Sequence, residues 1–216
     1  MKHLFKFSLC ALAFAMSANN GFAQSGETGL KDAYKDYFSI GVAVNMRNIA
    51  NPEQIAIIKK DFNSITAEND MKPQPTEPAY GQFNWENADK IANFCRSNGI
   101  KLRGHCLMWH AQIGEWMYKD EKGDFVSKEK LFQNMKHHIT AIVERYKDVI
   151  YAWDVVNEAI SDGGWQGGRR GMGEQPSPYR NSPLYQIAGD EFIKKAFIYA
   201  READPNVCLL YTSPSP

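Results

Sequence analysis

A chain of 216 residues that is 44% hydrophobic and 12% aromatic can bury a sizeable core, which excludes a disordered linker and makes one domain the default. Lys plus Arg number 25 and Asp plus Glu number 25, so no basic field is available to condense on nucleic acid or anionic lipid. A neutral, aromatic-rich chain suits an uncharged substrate.

At the N-terminus, Lys2, His3 and Lys6 precede an apolar stretch from Phe7 to Met16, and Gly21-Phe22-Ala23 follows with small residues at the two cleavage-determining positions. This order predicts a secretory signal peptide over residues 1–23, cut after Ala23, and hence a secreted or periplasmic protein. The apolar core is far shorter than the roughly 20 residues a membrane-spanning helix needs, and no later stretch is long enough, so no membrane partner is expected once the signal is removed. With Cys10 inside the signal, Cys95, Cys106 and Cys208 remain, spaced neither as a zinc site nor as a disulfide scaffold. Buried free thiols are the preferred reading, and one disulfide with a spare thiol is the alternative.

Beyond the signal the chain alternates. The first strand is expected at Ser39 to Val44, then a short helix through Ile55, Ile58 and Phe62, then a second strand near Asn63 to Ala67. A long polar loop with Pro73, Pro75 and Pro78 leads to a helix from about Trp85, whose Ala88, Ile91, Ala92 and Cys95 share a face until Asn98-Gly99 stops it. Strand three runs from Ile100 toward His105. Ser127 is a good N-cap for the next helix, with Leu131, Met135, Ile139, Ile142, Val143 and Tyr146 as its apolar stripe and His137 and His138 at its surface or edge. Strand four is the apolar run Tyr151-Ala-Trp-Asp-Val-Val ending in Asn157 and Glu158. A glycine-rich loop follows, then a helix with Ile193, Ala196, Phe197 and Ala200 on one face, ended by Asp204-Pro205, and a fifth strand at Val207 to Tyr211.

Strands alternating with helices of this length predict an α/β fold with a parallel sheet, either doubly wound or a barrel. Asn45; Glu68, Asn69 and Lys72; His105, Trp109 and Gln112; and Asn157 and Glu158 are expected after the C-terminal ends of four successive strands. A ring of polar contributions of that kind is the pattern of a (β/α)8 barrel.

Three stretches carry a family resemblance: Thr66-Ala67-Glu68-Asn69-Asp70-Met71-Lys72, Gly104-His105-Cys106-Leu107-Met108-Trp109-His110 and Trp153-Asp154-Val155-Val156-Asn157-Glu158. In order and spacing, from about Phe38 to Tyr211, they resemble the strand-end motifs of family 10 glycoside hydrolases, which are mostly endo-1,4-β-xylanases. The Asn-Glu pair alone would indicate only the wider clan of retaining barrel glycosidases.

The resemblance implies a (β/α)8 TIM barrel over residues 24–216 that hydrolyses internal bonds of xylan or xylo-oligosaccharides with retention, as a monomer when complete and with no cofactor. It makes Glu158 the general acid/base and Asn157 the partner of the sugar 2-hydroxyl. Glu68, Asn69 and Lys72 match residues that bind the next sugar toward the non-reducing end. His105, Trp109 and Gln112 match residues lining the subsite at the scissile bond, with the imidazole donating to a sugar hydroxyl. Asp154 matches a residue supporting that network, though a buried structural Asp fits it nearly as well. A related β-1,4-glucan hydrolase and a non-catalytic xylan-binding remnant are the alternatives.

Other features have weaker meanings. His105 and His110 lack the i, i+4 spacing and intervening Glu of a zinc site, so no metal is expected. Gly163 to Gly173 has glycine spacing like a phosphate-binding loop but lacks the Lys and the Ser or Thr, so it reads as a βα loop beside the cleft, with Trp165 touching sugar on the leaving-group side. After Leu209-Leu210-Tyr211 the resemblance ends, where the family pattern would continue Asn-Asp-Tyr-Asn. The expectation is a barrel truncated after about strand five, lacking the family's nucleophile carboxylate and inactive alone.

Overall fold

The computed structural model describes residues 28–161 and 178–212. The signal-peptide expectation, and all of the glycine-rich loop with Trp165, lie outside the described residues. Among the described residues no helix is long and apolar enough to cross a membrane.

Five strands, β1 (Gly41–Val44), β2 (Ser64–Ala67), β3 (Lys101–Trp109), β4 (Ile150–Asn157) and β5 (Cys208–Thr212), form one sheet in sequential order. Every neighbouring pair is parallel. An unbroken sequential order is that of a barrel wall, because a doubly wound sheet reverses its strand order at a switch point.

The helices are α1 (Leu30–Ala33), α2 (Pro52–Asp61), α3 (Pro73–Thr76), α4 (Glu86–Asn98), α5 (Lys128–Tyr146), α6 (Pro183–Ala188) and α7 (Glu191–Ala203). Their starts follow from local chemistry. The Asn51 side chain accepts from the amides of Glu53 and Gln54, with Pro52 at the first helical position of α2. Ser127 caps α5 through the amide of Lys130, and Ser182 caps α6 through that of Tyr185. Gly99 ends α4 in the left-handed conformation, φ 62°, which glycine adopts without a Cβ clash.

The predicted stripes of α4 and α5 are buried against the sheet as expected. On α7 the deepest residues are Phe192, Ala196, Tyr199 and Ala200, while Ile193 and Phe197 are only partly covered. The core is tightest where β3 crosses β4: a Cβ added to Gly104 would lie 2.1 Å from Cε3 of the fully buried Trp153. Only a glycine lets the two strands approach around that indole.

Four expectations are corrected. β3 does not end near His105 but continues to Trp109, so His105 lies inside the strand and Trp109 and Asn157 are strand-terminal residues, paired with each other across the sheet. The apolar run Cys106 to Met108 is fully buried, and after a register shift past His105 the pairing with β4 resumes at Met108. The loop after β2 is not wholly polar, since it contains α3 with Pro73 and Thr76 buried. His138 is not a surface residue: it is fully buried, and its Nδ1 lies 2.7 Å from the equally buried carboxylate of Glu77, which also meets His137 Nε2 at 3.1 Å and accepts from the Gly81 amide. Of the three cysteines, Cys95 and Cys106 are buried free thiols, whereas Cys208 is exposed, because its side chain points off the covered face of β5.

Candidate active site

The strand register brings the polar residues together. Pairing of β3 with β4 sets His105 opposite Asp154 and Trp109 opposite Asn157, although Asp154 is 49 residues beyond His105 in sequence. The Glu68 amide donates to the Val44 carbonyl, carrying the β1–β2 ladder one step past β2. Its carboxylate then accepts from Asn45 Nδ2 at 2.8 Å.

Next to it, Lys72 is only 8% exposed, and its ammonium donates to Asn69 Oδ1 at 2.9 Å while sitting 4.5 Å from the centroid of the Trp109 ring. Burial of a cation requires partners, and here an amide oxygen and an aromatic face supply them. Gln112 Nε2 reaches the same Asn69 oxygen at 3.4 Å. On its other side the Trp109 indole N–H donates to Glu158 Oε2 at 2.9 Å. Lys72, Trp109 and Glu158 thus form a continuous row linking the residues after β2 to the tip of β4.

Behind that row, Asp154 is 2% exposed and accepts from Arg103 Nη2 at 2.6 Å and from Arg103 Nε at 3.1 Å. Its other oxygen lies 2.9 Å from His105 Nδ1. Asp154 is therefore both buried and part of the network. A carboxylate at Nδ1 favours a proton on that nitrogen and fixes the orientation of the ring.

Asn157 is nearly buried, and its Oδ1 accepts from Thr212 Oγ1 at 2.9 Å, which leaves its Nδ2, unbonded among the described residues, as the group available to a ligand. Glu158 has φ 55°, the only positive φ at a non-glycine among the described residues. Such a conformation costs roughly 1 kcal/mol or more and persists only where surrounding contacts impose it. The amide of Glu158 donates to the Thr212 carbonyl at 2.9 Å, and the carbonyl of Glu158 accepts from Arg180 Nε at 3.0 Å.

Seven of the eight predicted site residues thus gather at the C-terminal ends of β2, β3 and β4, with Asn45 adding to them from β1, and the eighth, His105, lies within β3 bonded to Asp154. Three contributors were not foreseen, among them Thr212, whose hydroxyl bonds Asn157 and whose carbonyl bonds the Glu158 amide. Arg103 carries a signal, being a cation within an apolar strand that requires a buried anion. Arg180 carries none, since 22 residues separate it from Glu158. A cavity of about 750 Å³ between Tyr80, Trp116, Lys130 and Asn134 contains none of these site residues.

The arrangement offers one carboxyl group placed to exchange a proton with a bound ligand, an amide donor beside it, and a cluster of amide, carboxylate and ammonium groups suited to vicinal hydroxyls. Asp154, the buried carboxylate nearby, is committed to Arg103 and His105.

Comparison with known proteins adds relatives in sequence and in fold. An endo-1,4-β-xylanase/feruloyl esterase of Xylanibacter ruminicola is 52% identical over 97% of this chain and 29% of its own length. Endo-1,4-β-xylanase A of Caldicellulosiruptor sp. is 45% identical over 84% of this chain and 26% of its own. Among solved structures, a psychrophilic family 10 endo-β-1,4-xylanase superposes with a TM-score of 0.79 at 66% identity, covering 86% of this chain and 55% of that one. An intracellular xylanase of Thermoanaerobacterium saccharolyticum, solved with xylotriose, gives 0.77 at 36% identity over 88% of this chain and 57% of that one. The chain therefore spans about half the length of these solved relatives, and its five strands are about half of their barrel. The sequence model described as glycosyl hydrolase family 10 matches residues 29–213. A match across so much of the chain, in the register that brings its strand-end residues together, makes this protein a member of glycosyl hydrolase family 10.

Proposed function

We propose that the chain carries the acid/base half of a retaining endo-1,4-β-xylanase. The observation that supports this best is the placement of Glu158: at the tip of β4, held by the Trp109 indole, next to an Asn157 whose Nδ2 is free for a ligand. In this reading Glu158 protonates the leaving glycosidic oxygen, then removes a proton from the water that releases the sugar. Asn157 donates to the sugar 2-hydroxyl, a contact that strengthens as positive charge develops at the neighbouring carbon. Trp109, His105 and Gln112 line the subsite at the scissile bond. Glu68, Asn69 and Lys72 hold the next sugar, where the ammonium acts as a donor to neutral hydroxyls.

Retention requires a second carboxylate roughly 5 to 5.5 Å from the first, on the other face of the sugar. The family pattern places it on a strand later than the five described here. The N-terminal leader directs export, as an extracellular polymer substrate demands. The test is to extend the coding sequence to a complete eight-stranded barrel and follow hydrolysis of unbranched β-1,4-xylan by NMR. The reading predicts internal cleavage with the β-anomer appearing first. Initial release of the α-anomer, or activity on β-1,4-glucan in preference to xylan, would contradict it.

A further inference from the structure

We propose that Arg180 is a positioning residue for the acid/base Glu158, holding its backbone in the left-handed conformation that points the carboxyl group at the glycosidic oxygen. The inference rests on the reading of Glu158 given above.

The observations concern the two ends of one loop. Residues 159–161 and 178–180 are laced together by backbone bonds: Arg180 N–H to the Ala159 carbonyl at 2.7 Å, Ser161 N–H to the Pro178 carbonyl at 2.8 Å, and an antiparallel bridge between Ile160 and Tyr179. The Ile160 amide also donates to the Tyr211 hydroxyl at 3.1 Å. None of these bonds needs the Arg180 side chain. That side chain instead donates from Nε to the carbonyl of Glu158 itself, at 3.0 Å.

Glu158 is the residue that needs such a contact. At φ 55° a residue with a Cβ is disfavoured, so its peptide groups must be held on both sides. On the N-terminal side the strand ladder does this, through the Glu158 amide and the Thr212 carbonyl at 2.9 Å. On the C-terminal side the guanidinium is the group bonded to the carbonyl. Because φ at Glu158 sets the direction in which its side chain leaves the strand, the same contact determines whether the carboxyl group meets the Trp109 indole at 2.9 Å. A guanidinium suits this task because its planar, permanently charged donor array holds a fixed direction that a lysine ammonium does not.

The role differs from structural support in what its loss should change. A misplaced acid/base harms bond cleavage only where the leaving group needs a proton. A displacement near 1 Å is enough for a loss of order a hundredfold. In the complete barrel, kcat/KM is measured for xylan and for dinitrophenyl β-xylobioside, whose leaving group departs unprotonated. We expect Arg180→Ala to lower the xylan value about a hundredfold and the dinitrophenyl value less than about threefold, with Tm unchanged within a few degrees. Arg180→Lys, which keeps a donor of poorer geometry, should show the same selectivity with a smaller loss. A crystal structure of Arg180→Ala should show Glu158 rotated off the Trp109 indole. Equal losses on the two substrates, in both variants, would make Arg180 a structural residue and overturn the proposal, as would an unmoved Glu158 with full activity. Glu158→Ala, run alongside, separates the two levels: if it loses equally on both substrates, the assignment of Glu158 has failed, and Arg180 with it; if it loses selectively and Arg180→Ala does not, only the positioning role has failed.

Discussion

Replacing Gly104 by alanine tests how the barrel wall holds the site, because one methyl group is forced into the tightest contact of the core. The added Cβ would lie 2.1, 2.3 and 2.5 Å from Cε3, Cζ3 and Cδ2 of Trp153. Carbon atoms pack best at roughly 3.5 to 4.0 Å, so the overlap exceeds about 1 Å at three ring atoms. Trp153 is fully buried and cannot swing into solvent, so β3 and β4 must separate. Overpacking typically costs about 1 to 3 kcal/mol, and this geometry belongs at the upper end, near 3 kcal/mol. With a urea m-value of about 3 kcal/mol/M for a chain of this size, the unfolding midpoint should fall by about 1 M. Shrinking the ring should relieve the clash, and nothing polar is stranded by doing so, because Trp153 Nε1 has no hydrogen-bond partner among the described residues. The double variant Gly104→Ala, Trp153→Leu should therefore be more stable than additivity allows, by about 1 kcal/mol or more. His105 and Asp154 directly follow the two clashing residues, so in the complete barrel the single variant should lose activity as well. A midpoint shift below about 0.3 M, or an additive double-variant cycle, would refute this account of the β3–β4 contact.

Thiol chemistry and acid stability give two more predictions. Burial pushes the Cys95 thiol up to about 12 and moves the Cys106 thiol further in the same direction, whereas Cys208 is exposed. A disulfide reagent at pH 8 should therefore label Cys208 within minutes and reach the other two only in denaturant; labelling of all three at one rate would contradict the burial. Hydrogen bonds from Arg145 hold Asp89 below the usual carboxylate range. A depressed folded-state value means that the stabilisation is fully present above the unfolded pKa and disappears as pH falls through the folded one, below about pH 4. Asp89→Asn should cost up to about 1 kcal/mol at neutral pH, and the difference from the parent should shrink as pH falls below about 4 in urea titrations. A constant difference across that range would show that the charge is not responsible.

How far the sequence reveals this structure depends on how local each signal is. Helical stripes such as Leu131, Met135, Ile139 and Ile142, and caps such as Ser127 and Gly99, are encoded within one or two turns and are read correctly. Strand ends are less legible. The run Cys106 to Trp109 suits either a buried strand or a loop wall, and only its pairing with β4 decides that it is a strand. The helices α3 and α6 are short and start at prolines, so their pattern is indistinguishable from a turn. His137 and His138 look like surface residues because the carboxylate that receives them, Glu77, lies 60 and 61 residues earlier. The site follows the same rule. Glu68, Asn69, Lys72, His105, Trp109, Gln112, Asn157 and Glu158 stand in recognisable local motifs. The Arg103–Asp154–His105 array and the Arg180 contact depend on register and loop closure, which no local pattern carries.

The central claim, that Glu158 is the acid/base of a retaining xylanase, is tested most directly by the leaving-group dependence of Glu158→Ala in the complete barrel. The account predicts that kcat/KM for xylan falls by about 10² to 10⁴, the usual worth of a general acid, while the value for dinitrophenyl β-xylobioside stays within about tenfold of the parent. Equal losses on both substrates would show that Glu158 does not donate the proton, and would contradict the account.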